Sequence, residues 1–237
     1  MPRALDRSSA APSSSRVILT PWGELRPLVD LRPLVYILVL YGLVWFLPFG
    51  VFEAWRKGED GPAEWLQFLG YAGACIASLV VVWRRRGRPG SIAFLSWLTL
   101  AMFCFLMAGE EISWGERLTG VGLETIREIN AQGETTLHNL RGLQSLMHFG
   151  FIFFGLLFGW IGWRLLPWID ALPVRFYSLY FLPVALFYTY FDLSWLTLGD
   201  RIRNDQEAIE LLMPVGLCLH ALAKAREPDP EPLKGAD

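Results

Sequence analysis

Four runs of about twenty residues without a charged side chain constrain this chain more than any other feature. They are PLVYILVLYGLVWFLPFGVF after Arg32, WLQFLGYAGACIASLVVVW after Glu64, PGSIAFLSWLTLAMFCFLMAG after Arg88 and GLQSLMHFGFIFFGLLFGWIGW after Arg141. A helix crossing the hydrocarbon core needs about 20 mostly apolar residues, so each run is long enough to span. Two further runs are less clean. FYSLYFLPVALFYTYFDLSWLTLG carries Asp192 and Pro183, and LLMPVGLCLHALA reaches spanning length only if its helix starts near Gln206 and includes Glu207 and Glu210. The reading is an all-α integral membrane protein. It has a bundle of six transmembrane helices at about 33–52, 65–83, 89–109, 142–163, 176–198 and 206–223. Residues 1–32 and 224–237 read as disordered ends, the first basic, and no cleavable signal is expected.

Composition agrees. The 237 residues are 53% hydrophobic and 19% charged, whereas soluble domains carry about 25% charged residues. A net charge of −2 gives no basic field for nucleic acid. Cys75, Cys104 and Cys218 all lie inside apolar runs, so they read as small apolar side chains rather than a disulfide framework.

Basic residues set an orientation. With six spans, residues 1–32, the loops 84–90 and 164–175 and the tail from 224 fall on one side and hold most of the 21 Lys and Arg, including Arg84–Arg86. The positive-inside rule makes that side cytoplasmic, with both termini inside and the loop 110–141 outside. Trp55, Trp65, Trp114 and Trp195 then fall at one interface, and Trp22, Trp83, Trp163 and Trp168 at the other.

Polar residues collect at the outer level. GEEISWGERL reads as a continuation of the third span, which would put Glu110, Ser113, Trp114 and Arg117 on one helix face and aim Glu111 elsewhere. Leu123, Ile126 and Ile129 predict a short amphipathic helix on the outer surface. Asn130, Gln132 and Glu134 alternate as an extended strip would. Thr135 or Thr136 can cap the fourth span, and His138, Asn139, Arg141 and His148 follow. Asp192 lies in the outer third of the fifth span. Asn204 and Glu207 fit a capping box, which leaves Glu210 unexplained one turn deeper.

Carboxylates and histidines within or beside spans are costly to bury and mark candidate sites. Glu110, Glu111, Ser113, His148, Asp192 and Glu210 are the candidate acid, base and nucleophile groups. Arg117, Asn130, Gln132, Glu134, His138, Asn139 and Arg141 are the candidate substrate contacts. Any divalent metal would be held by His138 and His148 with Glu110 and Glu111, a mixed set suited to Zn, Mn or Fe. His220 lies about 20 Å along its helix from Glu207, near the opposite face, and stands apart from this group. An ion-pair belt is the alternative arrangement for the same carboxylates and arginines.

The blocks GEEISWGERL, NAQGE and HNL within 109–140 resemble a pattern recurring in a family of multi-pass bacterial inner-membrane proteins with no assigned activity. The combination of Ser, Asp and His within helices is similar in kind to the membrane hydrolase superfamily of alkaline ceramidases and adiponectin receptors, which implies a zinc hydrolase. The chain departs from that superfamily in having six expected spans rather than seven, in lacking an HxxxH near its C-terminus, and in the position of His220. The expected function is that of an enzyme acting on a lipid or lipid-linked substrate at the outer face. The alternatives are a structural or accessory membrane subunit that docks a partner through 110–141, and a proton-coupled transporter; the expected partners are membrane lipids and either another membrane protein or a second copy of the chain.

Overall fold

The computed structural model describes residues 18–20, 23–25, 28–46, 61–130, 133, 135, 136, 140, 144–192 and 206–228. The fold is helical. Helix α1 spans Arg32–Phe46, α2 Pro62–Arg84 and α3 Ile92–Glu111. Short helices α4 (Glu116–Thr119) and α5 (Glu124–Ile129) follow. Next come α6 (Gln144–Leu156), a π-turn over Leu157–Ile161 and α7 (Gly162–Leu165). A 3-10 turn at Arg175–Tyr180 leads into α8 (Leu182–Asp192), and α9 (Gln206–Glu210) leads into α10 (Leu212–Arg226).

Among the described residues, four helical stretches are long and apolar enough to cross a membrane: Pro62–Arg84, Ile92–Glu111, Leu146–Leu165 and Gln206–Arg226. Within the expected first span α1 covers Arg32–Phe46, and within the expected fifth the start forms the 3-10 turn and only Leu182–Asp192 is α-helix; residues 47–52 and 193–198 lie outside the described ones. The reading of 1–32 as disordered needs correction. Ile18–Thr20 pairs antiparallel with Gly23–Leu25, and Asp30 is buried. Asp30 receives a 2.9 Å hydrogen bond from Tyr180 and is ion-paired with Arg32. At the other end, α10 carries Lys224 and Arg226, so helix continues past the expected boundary at 223.

Packing follows from small residues and aromatic rings. A Cβ on Gly70 would stand 2.8 Å from Pro214 Cβ, so α2 and α10 approach as closely as backbones allow. Gly155 plays the same part against Ala185, bringing α6 onto α8. The core holds Tyr71, Trp97, Phe158, Phe181, Val184, Met213 and Leu217. The outward faces carry Leu38, Leu69, Ile76, Met102, Phe105, Phe149 and Leu186, each more than half exposed. An apolar surface of that extent suits lipid rather than water.

At the arginine-rich end, Asp170 collects several donors. Arg85 Nη2 lies 2.5 Å from it, Trp97 Nε1 donates to it at 3.0 Å, and Lys224 stands 3.4 Å away. Burial alone would raise the Asp170 pKa. The Trp97 hydrogen bond and the two cations outweigh it and hold the carboxyl below its usual range. His220 stacks on Trp97 with centroids 5.5 Å apart and bonds the backbone of Asp170 and Ala171.

Candidate functional site

The block beginning at Gly109 builds a turn, not a longer helix. Helix α3 ends at Glu111, and Ser113, Trp114 and Gly115 take successive left-handed conformations with φ of 49°, 53° and 88°. The expected common face of Glu110, Ser113, Trp114 and Arg117 is therefore broken, since a helix cannot pass through three positive-φ residues. Trp114 folds back over Gly109, where any Cβ would meet its ring at 2.9 Å, and donates from Nε1 to Glu110 Oε1 at 2.6 Å. Glu110 is thus buried against Trp114.

The rest of the loop is tied by its own polar groups. Glu116 is ion-paired with Arg127 and accepts from Thr135 N at 2.7 Å. Thr135 Oγ1 accepts from Leu123 N at 2.8 Å. Asn130, 2% exposed, donates to Thr136 O and Oγ1 at 2.8 and 2.9 Å. These bonds correct two expectations. Thr135 and Thr136 close the loop instead of capping the fourth span, and Asn130 is a loop strut facing inward. The Thr135 hydroxyl and the Arg127 guanidinium hold the Glu116 carboxyl down at about 2. The amphipathic segment does form a helix, α5, with no buried residue.

Glu111 takes a different course. It lies within electrostatic reach of Tyr71 and Tyr188, and Tyr71 also feels Glu210. Tyr188 donates a hydrogen bond to Glu210, which in turn feels Glu207 and Glu64. Gln67, fully buried, donates from Nε2 to Glu207 Oε2 at 2.9 Å and to Glu207 O at 3.1 Å. His148 sets its ring 5.0 Å from Tyr188. Carboxylates from α2, α3, α9 and their tyrosine partners from α2 and α8 therefore meet at one end of the bundle.

Of the residues expected from sequence, Glu111, His148 and Glu210 come together here. Glu110 and Asn130 are taken up by the loop, and Ser113 is buried in its left-handed turn. Asp192 ends α8 and Arg117 lies on α4; their side chains are outside the described atoms. Gln132, Glu134, His138, Asn139 and Arg141 lie outside the described residues. Sequence reasoning missed Glu64, Gln67, Tyr71 and Tyr188. A signal existed in Gln67 and Tyr71, one helical turn apart inside an apolar run. Among the described residues no group of three or more His, Cys, Asp or Glu is placed to hold a metal.

Beside the cluster lies an apolar cleft. Helices α3 and α6 meet through Phe103, whose ring is 4.7 Å from Phe154 and 5.9 Å from Phe158. A cavity of about 380 Å³ lies between these helices, with Met107, Gly150, Phe151 and Phe154 among its walls and Met213 of α10 beside them. Two contacts join it to the polar cluster. Phe151 stacks on Tyr188 at 4.6 Å, and Phe103 meets Tyr71 edge-on at 6.4 Å.

No protein-family model, curated protein or solved structure matches this chain.

Proposed function

We propose that this chain is a membrane enzyme acting on a lipid or lipid-linked substrate. The observation that carries the reading is the contact between the buried carboxylate–tyrosine cluster and the apolar cleft. Acid–base groups stand where the polar part of a lipid would lie when its chain occupies the cleft. Glu111 and Glu210 serve as the general acid and base, with Tyr188 orienting Glu210 and His148 beside it. Arg117 and Arg141 are assigned to an anionic part of the head group. The reading takes this end to be the outer face of a bacterial inner membrane with both termini cytoplasmic, and the excess of Lys and Arg in the opposite loops supports that orientation.

Purified protein incubated with a total membrane-lipid extract tests the reading by mass spectrometry. The expected result is depletion of one lipid class and appearance of its product. Glu111→Gln should slow this about 100-fold or more, the usual scale of general acid–base catalysis, with thermal unfolding unchanged. A wild-type sample that alters no lipid contradicts it.

A second reading rests on Leu118, Val121, Leu123 and Ile129, each more than half exposed on the loop. Such a patch docks a membrane surface or a partner subunit. Changing Val121 and Leu123 to Ser would then release a co-purifying partner while leaving the bundle folded.

A further inference from the structure

The buried face of α2 carries polar groups through the depth of the bundle. Glu64, Gln67, Tyr71, Ala74, Ser78 and Val81 follow one another at alternating three- and four-residue steps, so they share one stripe, and all six are buried. Arg85 continues the stripe just past the helix and bonds Asp170. At 1.5 Å per residue the line from Glu64 to Arg85 runs about 30 Å, the thickness of a hydrocarbon core. Polar side chains inside a membrane are costly and mark pathways more often than packing.

The unpartnered atoms follow the same line. Among the described residues, five buried side-chain polar atoms have no hydrogen-bond partner: Gln67 Oε1, Tyr71 Oη, Ser78 Oγ, Ser178 Oγ and His220 Nε2. The first three lie on the α2 stripe, in residues that are 0% exposed. His220 belongs to α10. The α9–α10 stretch runs parallel to α2, because Gln67 meets Glu207, Gly70 meets Pro214, Gly73 meets Cys218 and Arg84 meets Glu227. That register brings Ser78 level with His220 and Ala221. The other ring nitrogen of His220 serves the backbone of Asp170 and Ala171, so Nε2 is left as an acceptor. Buried polar atoms without protein partners are held by ordered water, most of all where lipid surrounds the fold.

The line ends on charged groups at both sides. Tyr71 lies within electrostatic reach of Glu111 and Glu210. At the arginine-rich end, His220 sits against Asp170, whose side chain is 30% exposed and walls a cavity of about 120 Å³ with Lys224 and Trp163.

We propose that this chain conducts protons along the α2 stripe, through a file of water molecules held by Gln67, Tyr71, Ser78 and His220 between the Glu111–Glu210 cluster and Asp170. Each water or hydroxyl takes up one proton and passes another on, so charge crosses without a co-reactant. The pH difference or the voltage across the membrane drives it. This is a second activity, read out separately from lipid turnover.

Full-length protein is reconstituted into vesicles holding a pH-sensitive dye. A potassium gradient with valinomycin sets the inside negative and draws protons in. Wild-type vesicles should acidify faster than protein-free ones. Tyr71→Phe and Ser78→Ala each remove one hydroxyl without adding volume. Each should slow acidification, and the pair should return it to the protein-free rate at an unchanged thermal midpoint. Ser178→Ala removes the one unpartnered atom outside this line and should leave the wild-type rate. A wild-type rate no faster than protein-free vesicles, the wild-type rate in Tyr71→Phe or Ser78→Ala, or an equal loss in Ser178→Ala overturns the proposal.

Discussion

A single hydrogen bond decides what Glu210 contributes. Tyr188 and Glu210 are both buried, and the phenol donates to the carboxylate. Tyr188→Phe removes the donor and leaves the carboxylate with less than it needs. We expect a loss of about 1–3 kcal/mol, read as a lower thermal midpoint. Glu210→Gln keeps an acceptor for Tyr188 and should cost less than Tyr188→Phe. The opposite order would show that the phenol is not the partner that matters. Position along the chain made Glu210 legible in the sequence, one turn deeper than a helix cap requires. Its partner was not legible, because a tyrosine in an aromatic-rich span looks like packing until the fold brings α8 beside α9. Glu110 and Glu111 show the same limit. They are neighbours in sequence, and the left-handed turn at Ser113–Gly115 sends one to Trp114 while the other joins the cluster.

The elements divide into a bundle fixed by close packing and a loop fixed by hydrogen bonds. Gly70 lets α2 meet α10, so Gly70→Leu should force the helices apart at a cost of about 1–3 kcal/mol, measured by thermal unfolding. The loop answers to pH instead. Glu116 has a folded pKa lowered to about 2 from 4.5. Its contribution is present above the unfolded value and is lost as pH falls from about 4.5 toward 2. Protection of the Leu123 and Thr135 amides from hydrogen exchange, relative to the intrinsic rate at each pH, should fall as pH drops across that window, and Glu116→Gln should lower it already at pH 7. Protection that stays constant with pH would mean the loop is held by other bonds. Three of the four long helices were legible from uncharged length alone, and the fourth, Gln206–Arg226, was legible only by allowing Glu207 and Glu210 inside it. The end of α3 was not, because GEEISWGERL has helical spacing and only the backbone reveals the positive φ angles. Gly109 and Gly115 acquire their reasons there, one beneath the Trp114 ring and the other at φ 88°.

At the scale of the molecule, polar groups gather at both ends of the helices. One end holds Glu64, Glu111, Glu207 and Glu210, and the other holds Asp170 with Arg85 and Lys224. The role of Asp170 in joining α2, α3 and α10 was hidden, because no spacing in the sequence ties it to Trp97 and Lys224, and His220 stood only as a histidine apart from the outer group. Trp97→Phe removes a donor from that carboxylate and should lower stability by about 1–2 kcal/mol. The expected orientation is testable on whole cells. A cysteine placed at Val121 should react with a membrane-impermeant maleimide from outside, and one placed at Arg86 should not. The reverse pattern would put the carboxylate end inside. The measurement closest to the central claim follows Glu210 itself. Wild type and Glu210→Gln, with matched thermal midpoints, are incubated with membrane-lipid extract and their products followed by mass spectrometry. The account predicts product from the wild type and about 100-fold less from Glu210→Gln. Equal product from both proteins, or none from the wild type, would contradict it.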